Sequence, residues 1–325
     1  MPYYHESQES GPDSKVVTML QNILKTEITL LIESSSPSLP IEEKSFDQYI
    51  INVEEIIFAG SYSMIYLANH CDHYHYPLMA RIFEPASQID PHKCKFLRLL
   101  KHLGKRNPWL ISTWGIYYDT NHRIALFQEF AIHGNLLEYV RSSNLYVPEL
   151  QLIGWAQNIY NGMDFLGSIG LCHRSISPKH ILLTGDPDGD KIIAKLGSFR
   201  DTIIYHDIHK QTTLHQRCRP LCRRFEANFH APETYGTDSE EFNPISADVW
   251  SYGATLFYAG TRTYPYNYKR PSKELDSEIR TMIQSRINLS TGAKQWFCGL
   301  LRTDVTKRTP FDRIEKDKWF QIQVE

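Results

Sequence analysis

The sequence predicts an α+β chain folded as two lobes with a cleft between them. Three observations lead there. From about residue 46 to 130 the apolar residues fall in short runs rich in β-branched and aromatic side chains. From about 131 to 321 they recur mainly at helical spacing. The chain has 325 residues, 42% of them hydrophobic, enough to fill a sizeable core. A strand-rich part followed by a helix-rich part segregates into separate layers, and the seam between such layers is a preferred binding position.

Along the chain, residues 1–45 read as an extension. The first 14 are polar, Lys15 to Ile32 carry Val16, Val17, Met19, Leu20, Ile23, Leu24, Ile28 and Leu31 at helical spacing, and SSSPSLP at 34–40 is a linker by its Ser and Pro content. Strand-like runs follow: YIINVEEIIFA, MIYLANH, YPLMARIFE, GIYYD and RIALFQEF, interrupted by the charged amphipathic segment PHKCKFLRLLKHLGK. After Gly134 come the helical patterns NLLEYVRSS, PELQLIGWAQNIYNGMDFLGSIG, ISADVWSYGATLFYAG, SKELDSEIRTMIQSRI and TGAKQWFCGLLR. No internal repeat is present.

Composition narrows the function classes. Lys and Arg number 35 against 37 Asp and Glu, so no global charge calls for nucleic acid or a membrane surface. The N-terminus lacks the basic start and apolar core of a signal peptide, and no apolar run approaches the roughly 18 residues that span a bilayer. Six scattered cysteines (Cys71, Cys94, Cys172, Cys218, Cys222 and Cys298) are too sparse for a disulfide scaffold. The expectation is a reduced, soluble, cytoplasmic protein.

Local motifs sharpen the picture. IFAGSYSMIYLA begins the strand region and PLMARIF follows it; LCHRSISPKHILL and KLGSFRD lie in the second half; HAPET at 230–234 and ADVWSYGATLFY at 247–258 come after them, and LLRTDVTKRTPFDRIEKDKWF closes the chain. In this order they resemble the eukaryotic protein kinase domain over roughly Phe46–Gln321. The tone is that of the calmodulin-dependent group, and HGNLLEYVRS at 133–142 is similar to testis-specific serine kinases. The resemblance implies the two-lobed kinase fold, with a β-rich N-lobe at about 46–130 and a helical C-lobe at about 131–321.

Carried over residue by residue, the resemblance implies that the chemistry is missing. Of the three glycines that let a backbone cradle phosphates, only Gly60 remains; Phe58 and Ser63 stand at the others, and Phe58 lies in the path of a nucleotide. Arg81 replaces the nucleotide-binding lysine, keeping charge but not shape. No Asp or Glu occurs between Asp90 and Asp119, so the usual ion pair with that cation cannot form. Ser175 takes the place of the catalytic base, a group that supplies about 10²–10⁴ in rate. Ser177 takes the place of the phosphate-steadying lysine, His180 of the metal-binding asparagine and Ser198 of the metal-binding aspartate, and Mg²⁺ prefers anionic oxygen to imidazole. What is kept is architectural: His173, Phe199, Glu233, Asp248, Trp250, Gly253 and Arg308. In the resemblance Glu233 pairs with Arg308 and Asp248 holds the loop backbone.

The leading expectation is therefore a catalytically inactive pseudokinase, a scaffold or allosteric partner for another kinase or a kinase substrate. Its rival is a divergent, active serine/threonine kinase using ATP. No cofactor is expected; ATP remains open as a ligand held without Mg²⁺ at Gly60 and Arg81. Weaker signals have plainer readings. GDPDGDK at 185–191 reads as a turn between strands rather than a calcium loop. Cys218 and Cys222, with His206, His209, His215 and His230 near, read as reduced loop cysteines before a zinc clip. Arg217, Arg219, Arg223 and Arg224 read as a solvated basic loop before an acidic-partner site, and Thr212 and Thr213 fall where the family carries activating phosphates.

Overall fold

A computed structural model of the chain describes residues 18, 48–59, 63–85, 103, 107–118, 123–143, 146–185, 191–207, 212–218, 225–235, 240–267 and 274–324. The expected helix at 15–33, the linker at 34–40, the basic segment 91–106 apart from Leu103, the turn at 186–190, and Gly60, His209, Arg219, Cys222, Arg223 and Arg224 lie outside these residues. Within them the fold is α+β, with a β-sheet lobe and a helical lobe as the resemblance implies.

The apolar runs of the first half form β1 (Tyr49–Ala59), β2 (Ser63–His70), β3 (His73–Pro85), β4 (Thr113–Tyr118) and β5 (Arg123–Glu129). They make one antiparallel sheet in the order β1-β2-β3-β5-β4. Its pairing assigns the faces. Ile65 lies opposite Arg81, Arg81 opposite Leu126 and Leu126 opposite Ile116, so these share the face turned to the cleft. On the other face Tyr49, Ala68, Leu78, Ala80, Tyr117, Ala125 and Phe127 build a small core, with Phe127 stacked on Tyr49 at 3.9 Å. Covered on both sides, β5 buries every residue from Ile124 to Gln128.

Edge strand β1 is irregular. Asn52 pairs with Leu67 and Ile56 with Tyr66, so Val53, Glu54 and Glu55 are extra residues with no counterpart on β2. A further offset between Ile56 and Phe58 sets Phe58 opposite Ile65, on the same face as Arg81.

The second half is built on α1 (Leu136–Ser142), α2 (Glu149–Ser168), α3 (Pro244–Thr261), α4 (Leu275–Gln284) and α5 (Thr291–Leu300), with a short strand β6 (Leu171–Cys172) and a hairpin of β7 (Ile181–Gly185) and β8 (Ile192–Leu196). Asn135 caps α1 through the Glu138 N–H, and Asn243 caps α3 through the N–H groups of Ile245 and Ser246, ahead of Pro244. Nearly all of α3 is buried, which is why its sequence is apolar almost all round. The Tyr252 hydroxyl donates to the Ala156 carbonyl of α2 at 2.9 Å, satisfying the one polar atom of a fully enclosed ring.

The lobes meet where residues 107–112 lie along β8. The Ile111 N–H donates to the Leu196 carbonyl (2.9 Å) and the Leu196 N–H to the Trp109 carbonyl (2.8 Å). Helix α2 passes so near that a Cβ at Gly162 would lie 2.9 Å from Leu196 Cδ1 and 3.2 Å from the Trp109 carbonyl oxygen. After Leu301 the final helices implied by the resemblance are short 3-10 turns, Val305–Lys307 and Phe311–Lys316, the second opening directly after Pro310. No helix among the described residues is long and apolar enough to cross a membrane.

Candidate functional site

The loop from Cys172 to Ile181 is held from below by α3. The Asp248 carboxylate accepts from the His173 N–H (2.7 Å), the Arg174 N–H (2.9 Å to Oδ1) and the Cys172 thiol (2.8 Å). This grip fixes Arg174 in the left-handed region (φ 63), where side-chain-bearing residues are uncommon. Full burial raises the Asp248 pKa to about 6, against the lowering effect of its donors.

His173 is enclosed. Its Nε2 lies 2.9 Å from the Gly197 carbonyl and its Nδ1 accepts from the Ser175 N–H at 3.2 Å, so the proton belongs on Nε2 and the ring is neutral. Burial, with His180 nearby, lowers its pKa to about 4. Phe199 meets the ring edge-on at 5.3 Å. Next to Phe199, Ser198 also takes left-handed backbone (φ 62, ψ 60) as the 3-10 turn Phe199–Asp201 begins.

The structure brings Ser175 and His180 together. Nδ1 of His180 lies 3.1 Å from the Ser175 hydroxyl but 2.6 Å from the Ser175 carbonyl. A carbonyl only accepts, so that nitrogen carries the proton and donates it to the main chain. It therefore has no lone pair with which to draw the hydroxyl proton, and the two side chains are not a nucleophile and its base. Ser177 is fully buried, and its Oγ has no partner among the described residues.

Across the cleft, Arg81 stands on β3 with Ile65 and Leu126 as cross-strand neighbours. Among the described residues its buried Nε has no hydrogen-bond acceptor and no carboxylate pairs with it. Desolvation lowers its pKa. Phe58 shares this face of the sheet and is 58% exposed. The buried Gln128 amide donates to Thr113 Oγ1 at 3.2 Å on the same face. The donor set does not suit a magnesium ion. Ser175, Ser177 and Ser198 offer neutral hydroxyls, the first beside His180 and the second buried. Among the described residues no group of three or more His, Cys, Asp or Glu side chains is arranged around a metal position.

The expected architectural contacts are present. Arg308 donates to both oxygens of Glu233 (2.6 and 3.0 Å) and to the carbonyls of Ser246 and Arg302, with its guanidinium 5.1 Å from the Trp250 ring centre. Cys218 is buried with its Sγ 3.1 Å from the Glu233 carbonyl, and burial raises its pKa. Thr212 and Thr213 are exposed, in a two-residue ladder with His206 and Asp207.

One pair escaped the sequence reading. Lys195 Nζ lies 2.7 Å from both carboxylate oxygens of Glu129. The usable signal was a lysine inside the apolar strand IIAKL, because lysines are rarely enclosed without a counter-charge.

Residues 51–317 match the family model described as protein tyrosine and serine/threonine kinase. The chain is 23% identical over 246 residues to the serine/threonine-protein kinase SRK2F of Arabidopsis thaliana, covering 74% of this chain and 65% of that protein. It is 22% identical over 280 residues to SRK2G of the same plant, covering 84% and 73%. With the serine/threonine-protein kinase SAPK3 of Oryza sativa subsp. indica it shares 23% over 229 residues, covering 68% and 64%. The chain thus spans just under two thirds of the length of SRK2F.

Proposed function

We propose that this chain, which belongs to the protein tyrosine and serine/threonine kinase family, transfers no phosphate and serves as a scaffold or allosteric partner in phosphorylation signalling. The observation that carries this reading is the state of the loop between Cys172 and Ile181. Where the resemblance calls for a base, a lysine and a metal ligand stand Ser175, Ser177 and His180, and the His180 Nδ1 proton is committed to the Ser175 carbonyl. Phosphoryl transfer depends on positioned charge more than on covalent help, so the loss of these groups together with the aspartate replaced by Ser198 removes its main supports.

What persists supports a folded docking body. Asp248 holds the loop, Glu233 and Arg308 hold the helical lobe, and the cleft face of the sheet keeps Arg81 as a cation. The partner we assign is a protein, either another kinase or a kinase substrate, met in the cytoplasm; neither nucleic acid nor membrane is required. Within the family, the likeness of residues 133–142 favours the calmodulin-dependent group and its testis-specific members. ATP, where it binds, does so through Arg81 without Mg²⁺.

The test is a phosphorylation assay with purified chain, labelled ATP, Mg²⁺ or Mn²⁺, and generic protein substrates. No transfer above a buffer blank is expected. Transfer that requires the metal and is lost in Arg81→Ala would establish the active-kinase alternative instead.

A further inference from the structure

Beyond Phe320 the chain emerges into solvent and then returns. Gln321, Ile322 and Gln323 are exposed, while Val324 is half-buried again and packs against the main core. It returns to one face of α2, along which Tyr160, Gln157, Gly154 and Leu150 follow one another at helical spacing. The Phe320 ring meets the Tyr160 ring edge-on at 5.3 Å. The Gln157 amide donates to the carbonyls of Phe320 (2.7 Å) and Ile322 (3.1 Å). A Cβ at Gly154 would lie 3.6 Å from Val324 Cγ1. The tail thus runs antiparallel to the helix. We propose that this face of α2 is a peptide-docking site, occupied in cis by residues 321–324, which receives an extended segment of a partner protein carrying a small β-branched residue at the Val324 position.

The chemistry of the site suits exchange. Its polar grip is on main-chain carbonyls, which any extended segment offers, so affinity there does not depend on sequence. Selection falls to Gly154. A Cβ at that position would already touch Val324, so the seat for an apolar side chain exists because the helix carries no larger residue there. The site also extends past its occupant: Leu150, one turn on from Gly154, is 58% exposed, an apolar position that a longer segment can cover. The tail itself is lightly held. Among the described residues, Ile322–Val324 have no regular secondary structure, and their hold is the Gln157 bond, a 3.4 Å turn contact from the Ile322 N–H to the Trp319 carbonyl, and the Val324 seat. Segments held by so few contacts open at low cost. The inference deepens the scaffold reading and rests on it only for the existence of a protein partner.

Titrating the full chain with a peptide of residues 321–325 tests it, read by NMR at the Gly154 amide and the Gln157 side-chain amide. The peptide is acetylated, so that its acetyl carbonyl stands in for that of Phe320. Val324→Asp in the chain removes the cis competitor. Saturable shifts at both positions are expected in Val324→Asp, and in the native chain only at roughly tenfold higher peptide concentration, because its own tail competes at an effective concentration of about millimolar. Adding Gly154→Leu to Val324→Asp should abolish the shift at Gln157, and adding Gln157→Ala should weaken the response at Gly154 by roughly tenfold. No shift in Val324→Asp up to about 10 mM peptide overturns the proposal. So does equal apparent affinity in Val324→Asp and the native chain, which removes the tail as occupant, and so does binding that survives both Gly154→Leu and Gln157→Ala. Phosphotransfer does not enter these readouts, so failure here leaves the proposed function standing.

Discussion

The Asp248 carboxylate accepts the His173 N–H at 2.7 Å, and through that bond a helix buried on nearly every side controls the shape of an irregular loop. Two main-chain donors and a thiol converge on it. Replacing Asp248 by Ala strands those donors in the core, and each unsatisfied backbone group costs about 1–3 kcal/mol. Chemical denaturation of Asp248→Ala should show a loss of roughly 3 kcal/mol or more, with Asp248→Asn losing less because one acceptor oxygen remains. Equal losses would mean that one remaining acceptor oxygen cannot hold the loop, and would overturn this account.

The two buried groups at this contact make opposite demands on pH. Asp248 titrates at about 6 when folded, above the unfolded carboxyl, so its contribution is fully present below the unfolded value of 3.8 and is lost as pH rises through 6. His173 titrates at about 4 when folded, below the unfolded 6.5, so its contribution is present above 6.5 and lost as pH falls through 4. Between about 4 and 6.5 the two nearly offset. Relative to wild type, Asp248→Asn should lose stability as pH falls through this window by about 1.4 kcal/mol per unit, and His173→Gln should gain by a similar slope. Parallel curves for all three proteins would remove both assignments.

Arg308 makes two-pronged contact with Glu233 from an almost fully enclosed position, its side chain 1% exposed. Arg308→Ala should cost about 3–5 kcal/mol, the usual penalty for breaking a buried pair. Arg308→Lys should recover little of it, because an ammonium cannot serve both oxygens and two carbonyls in one plane. Urea midpoints at constant slope would measure both.

Arg81 carries a buried nitrogen that finds no acceptor among the described residues. Arg81→Met keeps the stem and deletes the unsatisfied group, and should raise stability by about 1 kcal/mol. The same change should abolish any thermal shift caused by ATP, and that shift in the native protein should be the same with Mg²⁺ as with a chelator. A shift that demands Mg²⁺ would point to metal ligands other than Ser175, Ser177, His180 and Ser198.

Much of this was legible in the sequence for physical reasons. A run such as RIALFQEF encloses both faces of β5, and ADVWSYGATLFY is apolar all round because α3 has no solvent side. Ser175, Ser177, His180 and Ser198 drew notice only through the kinase resemblance, which implies other residues at those positions. The orientation of His180 was not legible, since the choice between the hydroxyl and the carbonyl of Ser175 depends on a few tenths of an ångström. Nor was the partner of Lys195, which lies 66 positions away in sequence. The last turns read as helices because Phe311, Ile314 and the acids around them suit either form; a run of six residues is too short for helical periodicity to decide.

The irregularity of β1 bears on edge-to-edge association of copies of this chain. Ile50, Val53, Ile56, Ile57 and Phe58 are all about half exposed or more, along the free margin of a sheet. A straight strand of that composition would be a template on which further copies could polymerise. The extra residues Val53, Glu54 and Glu55 interrupt the margin, and two of them are exposed acids. Deleting Val53, Glu54 and Glu55 would straighten that margin, and the deletion variant should form fibres sooner than the native chain in a dye-binding assay.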